Sequence, residues 1–322
     1  MKAAVTTKSG PPEVIQIKKV PKPIVKPGWV LIRVKAFGLN RSELYTRRGD
    51  SPGVTFPRIQ GIECVGFVEN DATGTYEKGQ QVAAMMGGMG RFFDGGYAEY
   101  TLVPKEIILP FKSNLSWDIL GSIPEMLQTV TGSLNQALEI REGETLLIRG
   151  GTSSIGMLAC QLAKNKGVTV ISTTRNKEKK QALLDNGVDY VIVDNGNISG
   201  QIKEIFPNSI NKVLELVGTK TLKDSLKCIG TKGTVCVTGI LGNEWTLPSF
   251  TPMEDIPSLG RLTTYTGEAT NLSPKLLQEF IDEVEKKNIN LNIDNVFQLS
   301  QIVEAHQYME DNRAKGKIVI KI

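Results

Sequence analysis

Residues 145–161 read TLLIRGGTSSIGMLACQ. A short apolar run ends in glycines, a hydroxyl-rich turn follows, and the chain then takes up helical apolar spacing. Gly151, Ser153 and Gly156 fall at the three marked positions of a G-x-G-x-x-G loop, with serine in the middle. Such a loop, placed between a strand and a helix, rests a dinucleotide pyrophosphate on the helix N-terminus, where N–H groups and the helix dipole favour negative charge. Ser153 is small enough for a phosphate to approach the backbone, and its hydroxyl can donate. Gly156 allows the helix to lie close to the strand. A tight strand-to-helix corner with no ligand is the alternative reading.

The end of the next strand gives an independent test. A site for NAD places Asp or Glu there, about 20 residues on, to hold the ribose hydroxyls. Here the run is ISTTRNKEKK (171–180), with Thr173 and Thr174 in that place and Arg175 after them. No acid stands there to repel a 2′-phosphate. Arg175, with Lys177 and Lys179 nearby, can bind one through charge-assisted hydrogen bonds, so NADPH is expected over NADH. The alternative is a solvated basic helix start. A methyltransferase also calls for an acid at this strand end, so that reading loses ground.

The elements around these residues alternate. Strands at 144–150, 168–174, 189–195, 211–218 and 233–240 are separated by helices at 154–167, 177–187, 199–206 and 222–229, with Gly167 and Gly187 as left-handed helix endings. Short connections between alternating strands and helices specify a parallel sheet covered on both faces. Before residue 120 the pattern is different: 29–40, 62–70, 81–86 and 95–104 read as strands punctuated by Gly and Pro, a mostly antiparallel β module. The last 70 or so residues carry two amphipathic helices, 275–288 and 300–314, and a closing strand, GKIVIKI, able to return to the first module. The expected fold class is therefore α/β, divided as 1–118, 119–255 and a return segment 256–322.

Composition narrows the function. The 322 residues carry a net charge of +4, too weak and dispersed for a general nucleic-acid surface. No apolar stretch approaches a membrane span and the first residues lack an apolar signal core, so a cytoplasmic protein is expected. Cys64, Cys160, Cys228 and Cys236 lie in apolar contexts without a CxxC and read as buried, reduced thiols. His306 is the only histidine, which rules out histidine-rich metal sites; its place on an apolar helix face reads as packing.

Taken together, this layout resembles the medium-chain dehydrogenase/reductase superfamily over essentially the whole chain. GLNRSELYTRRG (38–49) resembles its G-x-N-x-x-D loop, with Glu43 in place of Asp; PRIQGIECVGFV (57–68) resembles its P-x-x-x-G-x-E-x-x-G-x-V signature. QTVTGSL (128–134) and AHQYMEDNRAKGKIVI (305–320) resemble its threonine-containing helix and its ending. The resemblance implies a GroES-like β domain joined to a Rossmann domain. Zinc alcohol dehydrogenases of this superfamily have Cys at the place of Asn40 and His at that of Ile62, and a four-cysteine lobe that this chain lacks. The likeness is thus to the zinc-independent quinone oxidoreductase branch, with Glu63 kept as a structural residue satisfied by neighbouring backbone.

By that resemblance, Asn40 and Tyr45 line the nicotinamide and substrate site. Tyr45 would donate a hydrogen bond or proton to the substrate carbonyl, or serve as an aromatic wall; Asn40 could instead cap a turn. Thr129 would touch the nicotinamide, or is a hydroxyl that merely lines a helix. Ser154 and Ile155 offer backbone N–H groups to the pyrophosphate, Val217, Gly239, Ile240 and Leu241 follow strand ends near the nicotinamide, and Lys317 either lies at its end or is a surface lysine. Asp194 stands where relatives often carry Tyr against the 2′-phosphate, which disfavours NADPH unless it pairs with Lys179 or Arg175. The implied activity is hydride transfer from NADPH to a quinone or α,β-unsaturated carbonyl by a homodimer, with residues 245–265 as a candidate edge. The alternative is a non-catalytic, crystallin-like relative that binds NADPH or RNA.

Overall fold

The computed structural model describes residues 1–268 and 271–322, and these fall into two units, Met1–Gln128 with Glu268–Ile322 and Thr129–Gly267. Both junctions lie later than the sequence suggests. The later one does so because the short strand Arg261–Thr264 pairs in parallel with Ile229–Val237 and belongs to the second unit's sheet.

In the first unit the organising element is Trp29–Leu39. Its residues are buried along most of their length, as in a strand covered on both faces. Among the described residues it is part of a seven-stranded sheet ordered Ile293–Gln298, Lys317–Lys321, Trp29–Leu39, Glu63–Asp71, Gln81–Met85, Ile108–Pro110, with Tyr100–Pro104 also pairing to Trp29–Leu39. The pairings are antiparallel except that between Ile293–Gln298 and Lys317–Lys321. The closing strand thus returns to the first unit, with Ile318 opposite Leu39. The core beneath includes Val30, Ile32, Phe37, Val82, Val103 and Ile320, all fully buried; each such side chain contributes about 1.5–3 kcal/mol.

The second unit carries, among the described residues, a six-stranded sheet in the order Tyr190–Val193, Thr169–Thr174, Thr145–Arg149, Ile210–Glu215, Ile229–Val237, Arg261–Thr264, with every neighbouring pair parallel. The first strand in sequence lies between the second and the fourth, so strand order reverses at the carboxyl end of Thr145–Arg149, the position at which open α/β sheets bind ligands. Leu146, Leu147, Ile148, Val170, Ile171, Val213, Leu214 and Val235 are wholly buried, the continuous apolar run that a sheet shielded on both sides demands. Several boundaries differ from the sequence reading, and those nearest the site matter most. The fourth helix is Thr219–Leu226, and the strand after it starts at Ile229 and ends at Val237, so residues 238–240 lie beyond the strand. The basic stretch after Thr174 begins as a 3-10 turn, Lys177–Lys179, ahead of a short helix, Lys180–Asp185.

Candidate active site

In the first unit, most of GLNRSELYTRRG is a helix, Arg41–Arg48, rather than a loop. Asn40 is the N-cap of Arg41–Arg48, Glu43 accepts from the Asn40 backbone N–H at 2.6 Å, and Gly49 ends the helix in the left-handed conformation. An Asn followed three residues later by Glu is a capping box, a helix-start signal that the sequence itself carries. Glu43 also accepts the Ile62 N–H at 2.9 Å, so one buried carboxyl group joins the start of this helix to the strand signature at 62–63. Burial pushes Glu43 up to about 8, against the pull of those two N–H groups.

Asn40 is buried and its amide is fully engaged. Its Nδ2 donates to Glu63 Oε1 at 2.9 Å and its Oδ1 accepts from Lys317 Nζ at 2.6 Å. Lys317 also donates to Glu63 at 3.1 Å and lies 3.7 Å from Glu125 Oε2. Lys317 is only 2% exposed, so the surface-lysine reading is overturned. Burial alone would lower its pKa; Glu63 and Glu125 outweigh that and hold the ammonium above the ordinary lysine value. Glu63 is satisfied by one backbone group, the Glu125 N–H at 2.8 Å, together with the side chains of Asn40 and Lys317. Gly38 makes room for this cluster, since a Cβ there would collide with the Lys317 and Glu63 side chains. Tyr45, on the buried face of the same helix, is 8% exposed, and burial raises its phenol above the usual value.

His306 lies in the same unit, wholly buried, with its Nε2 3.1 Å from the Tyr97 hydroxyl. Burial, with Arg47 adding to it, lowers its pKa to about 3. The folded protein therefore refuses a proton that the unfolded chain accepts below about pH 6.5. Stability falls by about 1.4 kcal/mol per pH unit from this group as pH drops from about 6.5 toward 3. His306→Gln, which keeps an acceptor for Tyr97, is expected to remove that increment of acid sensitivity. Urea midpoints measured at pH 7 and pH 5 check it; equal acid losses in both proteins would contradict the assignment.

In the second unit, Ser153 caps the helix Ser154–Asn165: its Oγ accepts from the Gly156 N–H at 3.1 Å and donates to Gly150 O at 2.8 Å. The hydroxyl is thereby spent inside the loop and is not free to donate to a phosphate. The first N–H groups of a helix, here those of Ser154 and Ile155, have no partner within it. A Cβ on Gly156 would come within 2.7 Å of the Gly151 backbone, and one on Gly151 would strike Ser172 Oγ. The loop is thus a close-packed cradle with no room for a side chain at Gly151 or Gly156, at the switch point of the sheet, and these residues fit the diphosphate of a dinucleotide. Val217 and Leu241 lie near Gly150, and Gly239 and Ile240 follow the strand Ile229–Val237 on the same carboxyl edge.

Thr173 and Thr174 are buried. Thr173 Oγ1 accepts the Gly150 N–H at 3.1 Å, and Thr174 Oγ1 bonds to the backbone of Asn176. Arg175 and Lys177 are exposed and Lys179 is half-buried. Asp194 pairs with neither Lys179 nor Arg175, the two partners named as able to offset it. It takes a two-pronged contact from Arg149, Nε to Oδ2 at 2.9 Å and Nη2 to Oδ1 at 3.0 Å. Arg149 closes the strand before the glycine loop, and its Nη1 reaches Asp224 at 2.7 Å and Ser225 at 3.1 Å. The sequence marks only one member of this network, Arg149, as a charged residue closing the apolar run TLLI of a buried strand. Thr129 is half-buried in the helix Pro124–Thr131, and its carbonyl accepts from Ser133, whose hydroxyl also meets Thr238 at 2.9 Å.

Two family models match the chain: the alcohol dehydrogenase GroES-like domain over residues 26–113 and zinc-binding dehydrogenase over residues 154–282. The chain belongs to the medium-chain dehydrogenase/reductase superfamily, quinone oxidoreductase branch. It is 26% identical to a mouse protein named quinone oxidoreductase, over 99% of this chain and 97% of the relative. The solved quinone oxidoreductase from Coxiella burnetii is 26% identical with a TM-score of 0.84, covering 100% of this chain and 99% of that one. A mycobacterial protein solved in complex with NADPH superposes with a TM-score of 0.88 at 23% identity, over the full length of both chains. The chain is accordingly an NAD(P)-dependent oxidoreductase of GroES-like plus Rossmann architecture. Among the described residues no helix is long and apolar enough to cross a membrane.

Proposed function

We propose that this member of the superfamily is a zinc-independent, NADPH-dependent reductase of quinones or α,β-unsaturated carbonyls, acting as a cytoplasmic homodimer. The observation that carries the reading is the glycine cradle of residues 150–156 at the switch point of a parallel sheet. The exposed Arg175 and Lys177, beyond a strand end that offers no free acid, support the choice of coenzyme. Zinc independence rests on the residue types. Asn40 and Ile62 stand where relatives have thiolate and imidazole ligands, and the Asn40 amide is already tied to Glu63 and Lys317.

When bound, NADPH supplies the hydride; an acceptor that is already electrophilic needs no metal to polarise it. The chain's part is to hold and orient. Ser154 and Ile155 N–H groups cradle the diphosphate, and Val217, Gly239, Ile240, Leu241 and Thr129 position the nicotinamide. Tyr45, kept protonated by burial, donates a hydrogen bond to the acceptor's carbonyl oxygen as negative charge develops there. Lys317 serves the site through Asn40, whose carbonyl oxygen it fixes. The test is NADPH oxidation followed by absorbance with a panel of quinones and enones. Turnover is expected; coenzyme bound without turnover on any acceptor would favour a non-catalytic binder, and stoichiometric zinc by metal analysis would revive an alcohol dehydrogenase.

The coenzyme choice has its own check. Arg175→Ala is expected to weaken NADPH binding by about 10- to 100-fold, the equivalent of one charge-assisted hydrogen bond, and to leave NADH binding unchanged. Parallel titrations with both coenzymes measure it, and an equal loss for the two would contradict a 2′-phosphate role.

A further inference from the structure

We propose that Arg149 is a second determinant of coenzyme preference besides Arg175, acting through Asp194 rather than through the coenzyme itself; this rests on the NADPH reading above. Asp194 follows the strand Tyr190–Val193, so its carboxylate sits on the same edge of the sheet as Thr173 and Thr174. An acid at the end of the neighbouring strand Thr169–Thr174 accepts ribose hydroxyls and repels a 2′-phosphate, and a free carboxylate one strand over acts on the same groups. Asp194 is not free. Both oxygens take Arg149, Oδ1 also accepts the Gly196 N–H at 2.8 Å, and Thr173 adds a side-chain hydrogen bond. Thr173 in turn accepts the Gly150 N–H, so the network runs from Asp194 to the glycine loop.

Arg149 is itself immobilised. It is wholly buried, and its remaining nitrogen donates to Asp224, Ser225 and the Thr221 carbonyl. Asp224 is held at its other side by the Ile198 and Ser199 N–H groups. A planar guanidinium gripped on both sides cannot swing away, so the Asp194 charge stays neutralised and its acceptor sites stay filled. The positive groups left on this edge toward solvent are Arg175, Lys177 and, half-buried, Lys179. The acid that would read as a mark of NADH specificity is thereby silenced.

Dissociation constants for NADPH and NADH, measured on the intact wild type and on Asp194→Asn, Arg149→Gln and the double variant, test this. Arg149→Gln releases the carboxylate and is expected to move the NADPH-to-NADH preference at least about tenfold toward NADH. Asp194→Asn alone is expected to leave the preference within about twofold, because the charge it removes is already neutralised, and in the double variant it should restore the preference. A purely structural role for Arg149 would weaken both coenzymes equally, and that result overturns the proposal. So does a gain of NADPH preference of about tenfold or more in Asp194→Asn, which decides the matter even if Arg149→Gln fails to fold. If the wild type binds neither coenzyme, the NADPH reading falls and takes this inference with it; if it binds them and only the variants disagree, the inference alone fails.

Discussion

Replacing Gly156 by valine is expected to cost about 10²-fold in coenzyme affinity and about 1–3 kcal/mol in stability. The Cβ of any side chain there would lie 2.7 Å from the Gly151 Cα and carbonyl oxygen and 2.8 Å from the Gly150 carbonyl oxygen. Those are backbone atoms and cannot rotate aside. Either the helix Ser154–Asn165 lifts off its strand or the loop moves, and both displace the N–H groups that would meet the diphosphate. Gly200 supplies the control. It lies in the helix Ser199–Ile205 of the same unit, and a Cβ added there would meet nothing within 4 Å, so Gly200→Ala should be neutral or slightly stabilising. Calorimetric titration and urea unfolding of the two variants check the pair. Unchanged coenzyme binding in Gly156→Val would show that the close approach has no bearing on the ligand.

The second large effect is Lys317→Met. The wild-type ammonium is enclosed with Glu63, Asn40 and the Glu125 carboxylate. Removing one partner of a buried pair leaves the other as an uncompensated charge, at a cost of about 3–5 kcal/mol. Because the folded protein holds Lys317 above the ordinary lysine value, its contribution is complete below about pH 10.4 and fades as pH rises through the folded value. The lysine's own titration therefore adds no pH dependence to the loss between pH 6 and pH 8. Lys317→Met combined with Glu63→Gln should recover part of it, and denaturant unfolding of the three variants gives the coupling directly. A cost below about 1 kcal/mol, the range of exposed ion pairs, would mean that the pair is not sealed from water.

What could be read from the sequence was local. The loop at Gly151–Gly156, the alternation of strands and helices and the endings at Gly167 and Gly187 are each specified by residues within a few positions of one another, and each is present in the structure. The capping box at Asn40 and Glu43 is equally local, and it makes a helix of a segment that the family resemblance cast as a loop. The strand Arg261–Thr264 falls inside the candidate edge segment 245–265, but its exact place was not readable because RLTT carries a single apolar residue. The charged networks were out of reach for another reason. Lys317 and Glu63 are 254 positions apart, and Arg149 and Asp194 are 45 apart, so no spacing rule pairs them. Asp194 shows the consequence: its position was legible, but its meaning depends on a partner that only folding brings to it.

The central claim is that residues 150–156 hold the diphosphate of a nicotinamide coenzyme. Titration of the intact wild-type protein with NADPH and with NADH in a calorimeter tests this most directly. Saturable binding of one coenzyme per chain, tighter for NADPH, is the predicted result; folded protein that takes up neither would contradict the claim at its root.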